Sequence, residues 1–330
     1  MHDLKVAIVG AGTAARLHLL AYQKCPGARV IALCGTNADR VRAFETEFGV
    51  RGYLSVEEML ATERPDVVSV TTLEWQHEMP VLLSLAAGCH VLCEKLMAHS
   101  LAVGETMVRA AERAGRMLGV NYNYRSVPSH ALIKQSLLLG ELGEPAAFSA
   151  NVHSYLWAHM IDLMRHFFGD PVSVSAAMAD DQERRPIVTT NAGKAWDQTA
   201  EMIYHPSTAL SAAFRYRNPD FVATLSGSAF APIAHYYWSF ALFGTADGLT
   251  VSGAHRDNLG GRPELGSISE RLKELPAFSY PESFERSIAA FVDAVLRGEP
   301  APVSGADGLA AMRLDAAVAT SAREGRCVAL

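Results

Sequence analysis

Three stretches of the chain carry residues whose types and spacing can do chemistry. In VAIVGAGTAARLHLLAY, Gly10 and Gly12 stand directly after a short apolar run and at the mouth of a helical pattern. Glycines there let the backbone turn sharply and approach a pyrophosphate, while the first helical N–H groups, on Thr13 and Ala14, supply donors and positive potential. Ala15 stands where the dinucleotide fingerprint has its third glycine. The motif alone is compatible with a plain tight turn; between a strand and a helix it points to dinucleotide binding. In VLCEKLMAHS, residues 91–100, an apolar run ends in Glu94 and Lys95. A buried ammonium without a partner is costly, so Lys95 either reaches solvent at a strand end or lies in a cleft where its charge is used. In WAHMIDLMRH, Asp162 follows His159 by three residues and shares its helix face. His159 is either a satisfied helix histidine or a group that moves a proton near neutral pH. Together with His166 the spacing would also admit a zinc ion.

The second strand bears on which dinucleotide is bound. A carboxylate at its end would grip the adenosine ribose hydroxyls and repel a 2′-phosphate. That place falls at Gly35 in LCGTNADR, and no acid stands there. Thr36 and Asn37 can donate hydrogen bonds, Arg40 lies one helical turn on, and Tyr53 is placed to flank the adenine. The expectation is NADP in preference to NAD, with a solvated Arg40 as the alternative.

These residues need elements to position them. LKVAIVG, ARVIALCG, PDVVSVTT, CHVLCE and RMLGVN are short apolar runs, separated by helical patterns such as TAARLHLLAYQKC, NADRVRAFETEFG and SLAVGETMVRAAERAG. Apolar strands alternating with amphipathic helices predict a parallel sheet covered on both faces. Near residue 122 the pattern changes. Helices are expected at about 128–139 and 157–168, then alternating strands in TAEMIYH, TALSAAFRYR and HYYWSFALFG, and closing helices at about 282–297 and 306–323. DDQERRP and AHRDNLGGRPELGS read as surface loops. The fold class is therefore α/β: an N-terminal Rossmann domain over 1–122, and over 123–330 an α/β domain with a large, mostly antiparallel open sheet. The closing helices are free to pack back on the first domain.

The chain has 330 residues, 49% hydrophobic and 19% charged, with a net charge of −6. That balance argues against a nucleic-acid surface, and no apolar run approaches the ~20 residues of a membrane span. The start, MHDLKVAIVG, reads as a strand rather than a signal peptide. Five cysteines, Cys25, Cys34, Cys89, Cys93 and Cys327, with no C-x-x-C pair, suit a reducing cytoplasm.

The order and spacing of several pieces resemble one family, the glucose–fructose oxidoreductase, inositol dehydrogenase and rhizopine-catabolism group. They are the G-x-G-x-x-A turn, TTLEWQHEMPVLLSLAAGCHVLCEK, NYNYRSVPSH, GELGEP, HMIDLMRHFFGDP and the C-terminal FVDAVLRGEPAPVSGADGLAAMRLDAAVATSAREGRCVAL. The resemblance runs over nearly the whole chain. It implies that Lys95 lies beside the nicotinamide as an electrostatic catalyst, oriented by Glu94, and that His159 is the acid–base. Thr72, His77, Glu94 and Asn123 would line the cofactor, and Tyr124, Arg125, Tyr155, Trp157 and Asp162 the substrate, with Trp75 as a further wall. No metal is implied. The chain departs from the family at Leu96, which replaces a proline, and at Tyr155, which replaces an aspartate. The implied activity is hydride transfer between nicotinamide and a secondary alcohol or ketone of a sugar, cyclitol or related polyol. Two rivals are a redox-neutral enzyme that uses its nicotinamide transiently, and a non-catalytic nucleotide sensor. A homodimer or homotetramer through the second sheet is also implied.

Overall fold

The computed structural model describes residues 3–179, 209–228, 237–254 and 258–330. The strand expected at TAEMIYH and the loop at DDQERRP lie outside the described residues. The chain divides into two compact units, Met1–Asn123 with Phe284–Met312, and Tyr124–Ser283 with Arg313–Leu330.

The first unit alternates strand and helix throughout: β1 (Leu4–Val9), α1 (Thr13–Gln23), β2 (Ala28–Cys34), α2 (Ala38–Phe48), β3 (Arg51–Tyr53), α3 (Val56–Glu63), β4 (Val67–Val70), α4 (Glu78–Ala86), β5 (His90–Cys93), α5 (Leu101–Ala114) and β6 (Leu118–Val120). All the strand pairs are parallel, in the order β3-β2-β1-β4-β5-β6. The runs are largely apolar without alternation because helices cover both faces: Val6, Ala7 and Ile8 of β1 and Val67, Val68 and Val70 of β4 have no exposed surface. Local sequence sets the helix ends. Asn37, Ser55 and Ser100 cap α2, α3 and α5 by accepting from the N–H three residues on, and Gly49 and Gly115 end α2 and α5 in the left-handed region. The stretch 284–312 completes this unit. Val120 donates to the Val303 carbonyl at 3.0 Å, and Phe291 presses so close to β6 that a Cβ on Gly119 would sit 2.7 Å from its ring.

The second unit holds α6 (Pro128–Leu138), β7 (Pro145–His153), α7 (Trp157–Phe168), β8 (Ser173–Ala179), β9 (Ala209–Tyr216), β10 (Phe221–Ser228), β11 (Tyr237–Gly244), β12 (Gly248–Ala254), β13 (Asn258–Glu264) and α8 (Gly266–Lys273). Helices α9 (Tyr280–Arg297) and α10 (Gly305–Glu324) each have residues in both units, and β14 (Val328–Ala329) ends the chain. Its sheet runs β13-β12-β11-β7-β10-β9-β8-β14. It is antiparallel except where β10 pairs with β7. In β11, Trp238, Phe240 and Leu242 are buried while Tyr237 and Phe243 are exposed on the opposite face, the period-two signature of a sheet with one packed side. One expectation is corrected here. AHRDNLGGRPELGS is not all loop: its residues 258–264 form β13, paired antiparallel to β12. Two glycines and a proline hide the alternation, and the ladder to β12 supplies the order that propensity lacks.

Candidate active site

The glycine turn leaves β1 where the sheet order reverses, since β1 pairs with β2 on one side and β4 on the other. In open α/β sheets ligands bind at the carboxyl ends of such strands. Gly10 has φ +121°, and a Cβ on it would lie 2.4 Å from Thr71 Oγ1. Both the conformation and the close approach of β4 require glycine. Gly12 differs. Its backbone is extended, and a Cβ there would meet nothing within 4 Å. It is the N-cap of α1, with no side-chain cap and no acid in the first turn. Helix N–H donors therefore border open space that a side chain on Gly12 would fill, which fits a pyrophosphate. Gly12→Val is accordingly expected to weaken dinucleotide binding about tenfold or more, a loss of ~1.4 kcal/mol, with little change in melting temperature. Titration of NADH fluorescence alongside thermal unfolding checks this; equal affinity would remove Gly12 from the site.

After β2, Gly35 is buried while Thr36, Asn37 and Arg40 are exposed. The Asn37 amide oxygen is engaged, since it accepts from the Arg40 N–H at 3.0 Å. Tyr53 is buried and its hydroxyl donates to Glu63 Oε1, so its ring is held within the fold. After β4, Thr72 is half-buried. His77 is wholly buried, and both its ring nitrogens address main-chain carbonyls, Nδ1 that of Met97 at 3.1 Å and Nε2 that of Thr72 at 3.0 Å. The imidazole lies between the loop after β4 and the turn after β5, and its N–H donates to whichever of the two carbonyls its tautomer faces.

Lys95 follows β5 and is half-buried. Its N–H donates to Glu94 Oε2 at 3.3 Å, and the Lys95–Leu96 peptide is cis. Glu94 is buried. Its Oε1 accepts from Asn121 Nδ2 at 2.7 Å and lies 2.8 Å from His18 Nε2. Burial pushes the Glu94 carboxyl up, but the bonds from His18 and Asn121 and the charge of Lys95 outweigh it and hold the group below the usual carboxylate range. The residue is therefore an anion at neutral pH. Asn123 is buried in the turn after β6.

The second unit carries the remaining candidates on and around α7. His159 is buried, and its ring stacks on Tyr124 with centroids 4.4 Å apart and 25° between planes. Tyr124 in turn stacks on His130 at 5.9 Å. His130 gives its Nδ1 to the Tyr124 carbonyl at 2.9 Å, and burial pushes it down to about 4, so it stays neutral. Burial raises the Tyr124 phenol far above its ordinary value. Tyr155, half-buried, sits in the short turn before α7, and its N–H donates to His153 Nδ1 at 3.1 Å.

Three of the residues expected at the substrate have side-chain partners within the second unit. Asp162 is fully buried and takes Arg125 in a bidentate pair, Nε to Oδ2 at 2.8 Å and Nη2 to Oδ1 at 2.6 Å. The two were expected to meet substrate; this fork-to-fork geometry pairs them and ties the turn that carries Arg125 to α7. Trp157 was expected to wall the cleft. It has no exposed surface, Gly227 makes room for its ring, and its indole N–H donates to Asp315 Oδ1 at 2.9 Å.

Asp315 carries its own consequence. Burial pushes its carboxyl up to about 7, with the Trp157 bond opposing. A folded value above the unfolded ~3.9 means the native state binds the extra proton. Stability is then full below about pH 4 for this group and falls as pH rises toward 7, by at most ~1.4 kcal/mol per pH unit. Asp315→Asn is expected to flatten that slope in urea unfolding between pH 4.5 and 7.5; an unchanged slope would place the dependence elsewhere.

Sequence reading overlooked His18, Tyr22, Ser69, Asn121 and Ser287, which surround Glu94, and His130 and His153 beside Tyr124 and Tyr155. A signal for His18 existed: it stands with Ala15, Leu19 and Tyr22 at helical spacing on the buried face of α1.

The strand order, the glycine turn and the uncapped helix start together define a dinucleotide-binding Rossmann domain. Residues 4–122 match the model of an oxidoreductase family with an NAD-binding Rossmann fold. A D-apiose dehydrogenase of Paraburkholderia graminis is 32% identical over 194 residues, covering 52% of each chain. A myo-inositol 2-dehydrogenase of Thermotoga maritima is 22% identical over 99% of this chain and 98% of its own. A levoglucosan dehydrogenase solved in complex with NADH and L-sorbose superposes with a TM-score of 0.82 over 100% of this chain and 99% of that one, at 19% identity. Residues 4–122 are thus similar to the NAD-binding Rossmann domain of the GFO/IDH/MocA oxidoreductase family. The chain spans about half the length of the curated relatives it matches at 30% identity or more.

Proposed function

We propose that the protein is an NAD(P)-dependent oxidoreductase acting on a secondary alcohol or ketone of a sugar, cyclitol or related polyol. The observation that carries the reading is Lys95, which follows β5 at the ligand-binding end of a dinucleotide domain with its neighbour Glu94 held as an anion. The nicotinamide, when bound, accepts or returns the hydride. Lys95 stabilises the negative charge that develops on the substrate oxygen. His159 takes the hydroxyl proton in oxidation and gives it back in reduction. Gly12, Thr13 and Ala14 hold the pyrophosphate, Thr72 and Asn123 line the cofactor, and Tyr155 meets a substrate hydroxyl. Arg125, Asp162, His77 and Trp157 position these groups. Named activities of relatives, on D-apiose, 1,5-anhydro-D-fructose and myo-inositol, support a polyol substrate.

NADP is the preferred coenzyme in this reading. Gly35 offers no carboxylate to a ribose hydroxyl, and exposed Thr36 and Arg40 stand beside it. Gly35→Asp is expected to lower the NADP-to-NAD ratio of kcat/KM about tenfold, since like-charge repulsion now opposes the 2′-phosphate. A Cβ there meets Ala11 and Val41 at 3.0 and 3.1 Å, so the loop must yield a few tenths of an ångström. An unchanged ratio would end the NADP assignment. The exposed Val222, Tyr237 and Phe243 support self-association through the second sheet. The free thiols support a cytoplasmic setting; no helix among the described residues is long and apolar enough to cross a membrane. The test of the whole reading is a sugar and cyclitol panel with NAD and NADP, followed by nicotinamide absorbance. Binding without any absorbance change across the panel would favour a sensor instead.

A further inference from the structure

The function proposed above leaves one buried imidazole of the second unit unused. His130, the last residue of NYNYRSVPSH and the third of α6, has no exposed surface. Aromatic rings enclose it. It stacks on Tyr124 with centroids 5.9 Å apart and 23° between planes, and it meets Trp238 edge-on at 5.1 Å. Phe167 lies edge-on at 6.4 Å and Phe240 tilted at 6.0 Å.

Its two nitrogens fare differently. A carbonyl only accepts, so Nδ1 carries the proton and donates it to the Tyr124 carbonyl at 2.9 Å. Nε2 is then an acceptor, and it has no hydrogen-bond partner among the described residues. A buried acceptor left unpaired is costly. A phenyl ring would fill the same aromatic surroundings without that cost. What histidine adds over phenylalanine here is one N–H, and it goes to the main chain of Tyr124. The same carbonyl also accepts from the Val127 N–H at 3.2 Å, so the His130 bond is not needed to satisfy it. Its effect is to fix Tyr124 in place. The main chain of Tyr124 is held by two donors, and its ring stacks on two imidazoles, His130 on α6 and His159 on α7. Burial holds His130 neutral, pushed down to about 4, so the bond persists unchanged through the neutral range.

We propose that His130 is a positioning residue for the proton transfer assigned to His159: by clamping Tyr124, main chain and ring together, it fixes the surface on which the His159 imidazole rests. The proposal rests on that assignment of His159. Without the Nδ1–H donor the Tyr124 ring is free to slide, and the His159 imidazole moves with it.

The test compares wild type with His130→Phe, which keeps an aromatic ring and removes both nitrogens. The melting temperature is expected to stay level or rise, because the unpaired Nε2 leaves together with the lost bond. Over the same substitution kcat on a turned-over polyol is expected to fall about tenfold through misplacement. NAD(P)H affinity is expected to stay unchanged, since the groups assigned to the coenzyme lie in the first unit. A readout independent of turnover is the His159 ring-proton resonance in histidine-labelled protein, assigned by its loss in His159→Asn. The face of Tyr124 shifts it upfield in wild type; in His130→Phe it is expected to return toward the position of an exposed histidine. Where His130→Phe does not fold, His130→Leu, which also lacks the donor, is read the same way. Wild-type kcat in the variant, or an unmoved His159 resonance, would overturn the proposal. A wild type that turns over no polyol, with the resonance still moving in the variant, would sink the substrate reading and leave the placement of His159 by His130 standing.

Discussion

Lys95→Ala is expected to lower kcat about 10³-fold while leaving NAD(P)H affinity nearly intact, a loss of ~4 kcal/mol of transition-state stabilisation. The reasoning starts from the position. Lys95 follows a strand buried along most of its length, and the residue before it is an anion held by two side-chain donors. A positive charge fixed in place before the reaction needs no reorganisation as alkoxide character develops. In the proposed reading the coenzyme's phosphates are held elsewhere, at the start of α1, so affinity and turnover are expected to separate. Steady-state kinetics with fluorescence titration of the coenzyme reads both. Lys95→Arg keeps the charge but not its compact shape, and is expected to recover only part of the rate. Full turnover in the alanine variant would remove Lys95 from the chemistry.

His159→Asn is expected to cost 10²- to 10³-fold in kcat, the scale of a lost general acid–base. Asparagine keeps a polar group of moderate size but cannot take up a proton. His159 is buried against Tyr124 on the first turn of α7, so a structural explanation must be separated from a chemical one. Thermal unfolding of the variant supplies that control, and Tyr124→Leu supplies a second. The Tyr124 ring is the surface on which the imidazole rests; losing it is expected to reduce kcat by about tenfold through misplacement, with His159 itself still present. Should His159→Asn retain wild-type kcat on a polyol that Lys95→Ala cannot turn over, the proton would have to travel by another group.

The expectations that held were local in character. Parallel strands were legible because a strand buried on both faces is mostly apolar rather than alternating, and β1, β4 and β5 are, with only Lys5, Ser69 and His90 interrupting them. Caps such as Ser55 and Ser100 lie within a few residues of the N–H groups they serve. The short β3 and the glycine-rich β13 lack any period to read, and their order comes from neighbours β2 and β12. Site residues divided along the same line. Gly10 and Gly12 follow from a turn of a few residues. Arg125 did not, because its partner Asp162 is 37 positions away, and a free arginine and a paired one look alike in sequence.

The amino-acid sequence by itself determined the alternating architecture, the dinucleotide turn and a lysine following the buried strand β5, since each depends on residue type and spacing within a short stretch. Only the tertiary structure decided which polar side chains are spent on one another. Trp157 meets Asp315 across 158 positions and Glu94 meets His18 across 76. A hydrogen bond is fixed by distance and direction in space, and no periodicity along the chain encodes which distant donor will arrive.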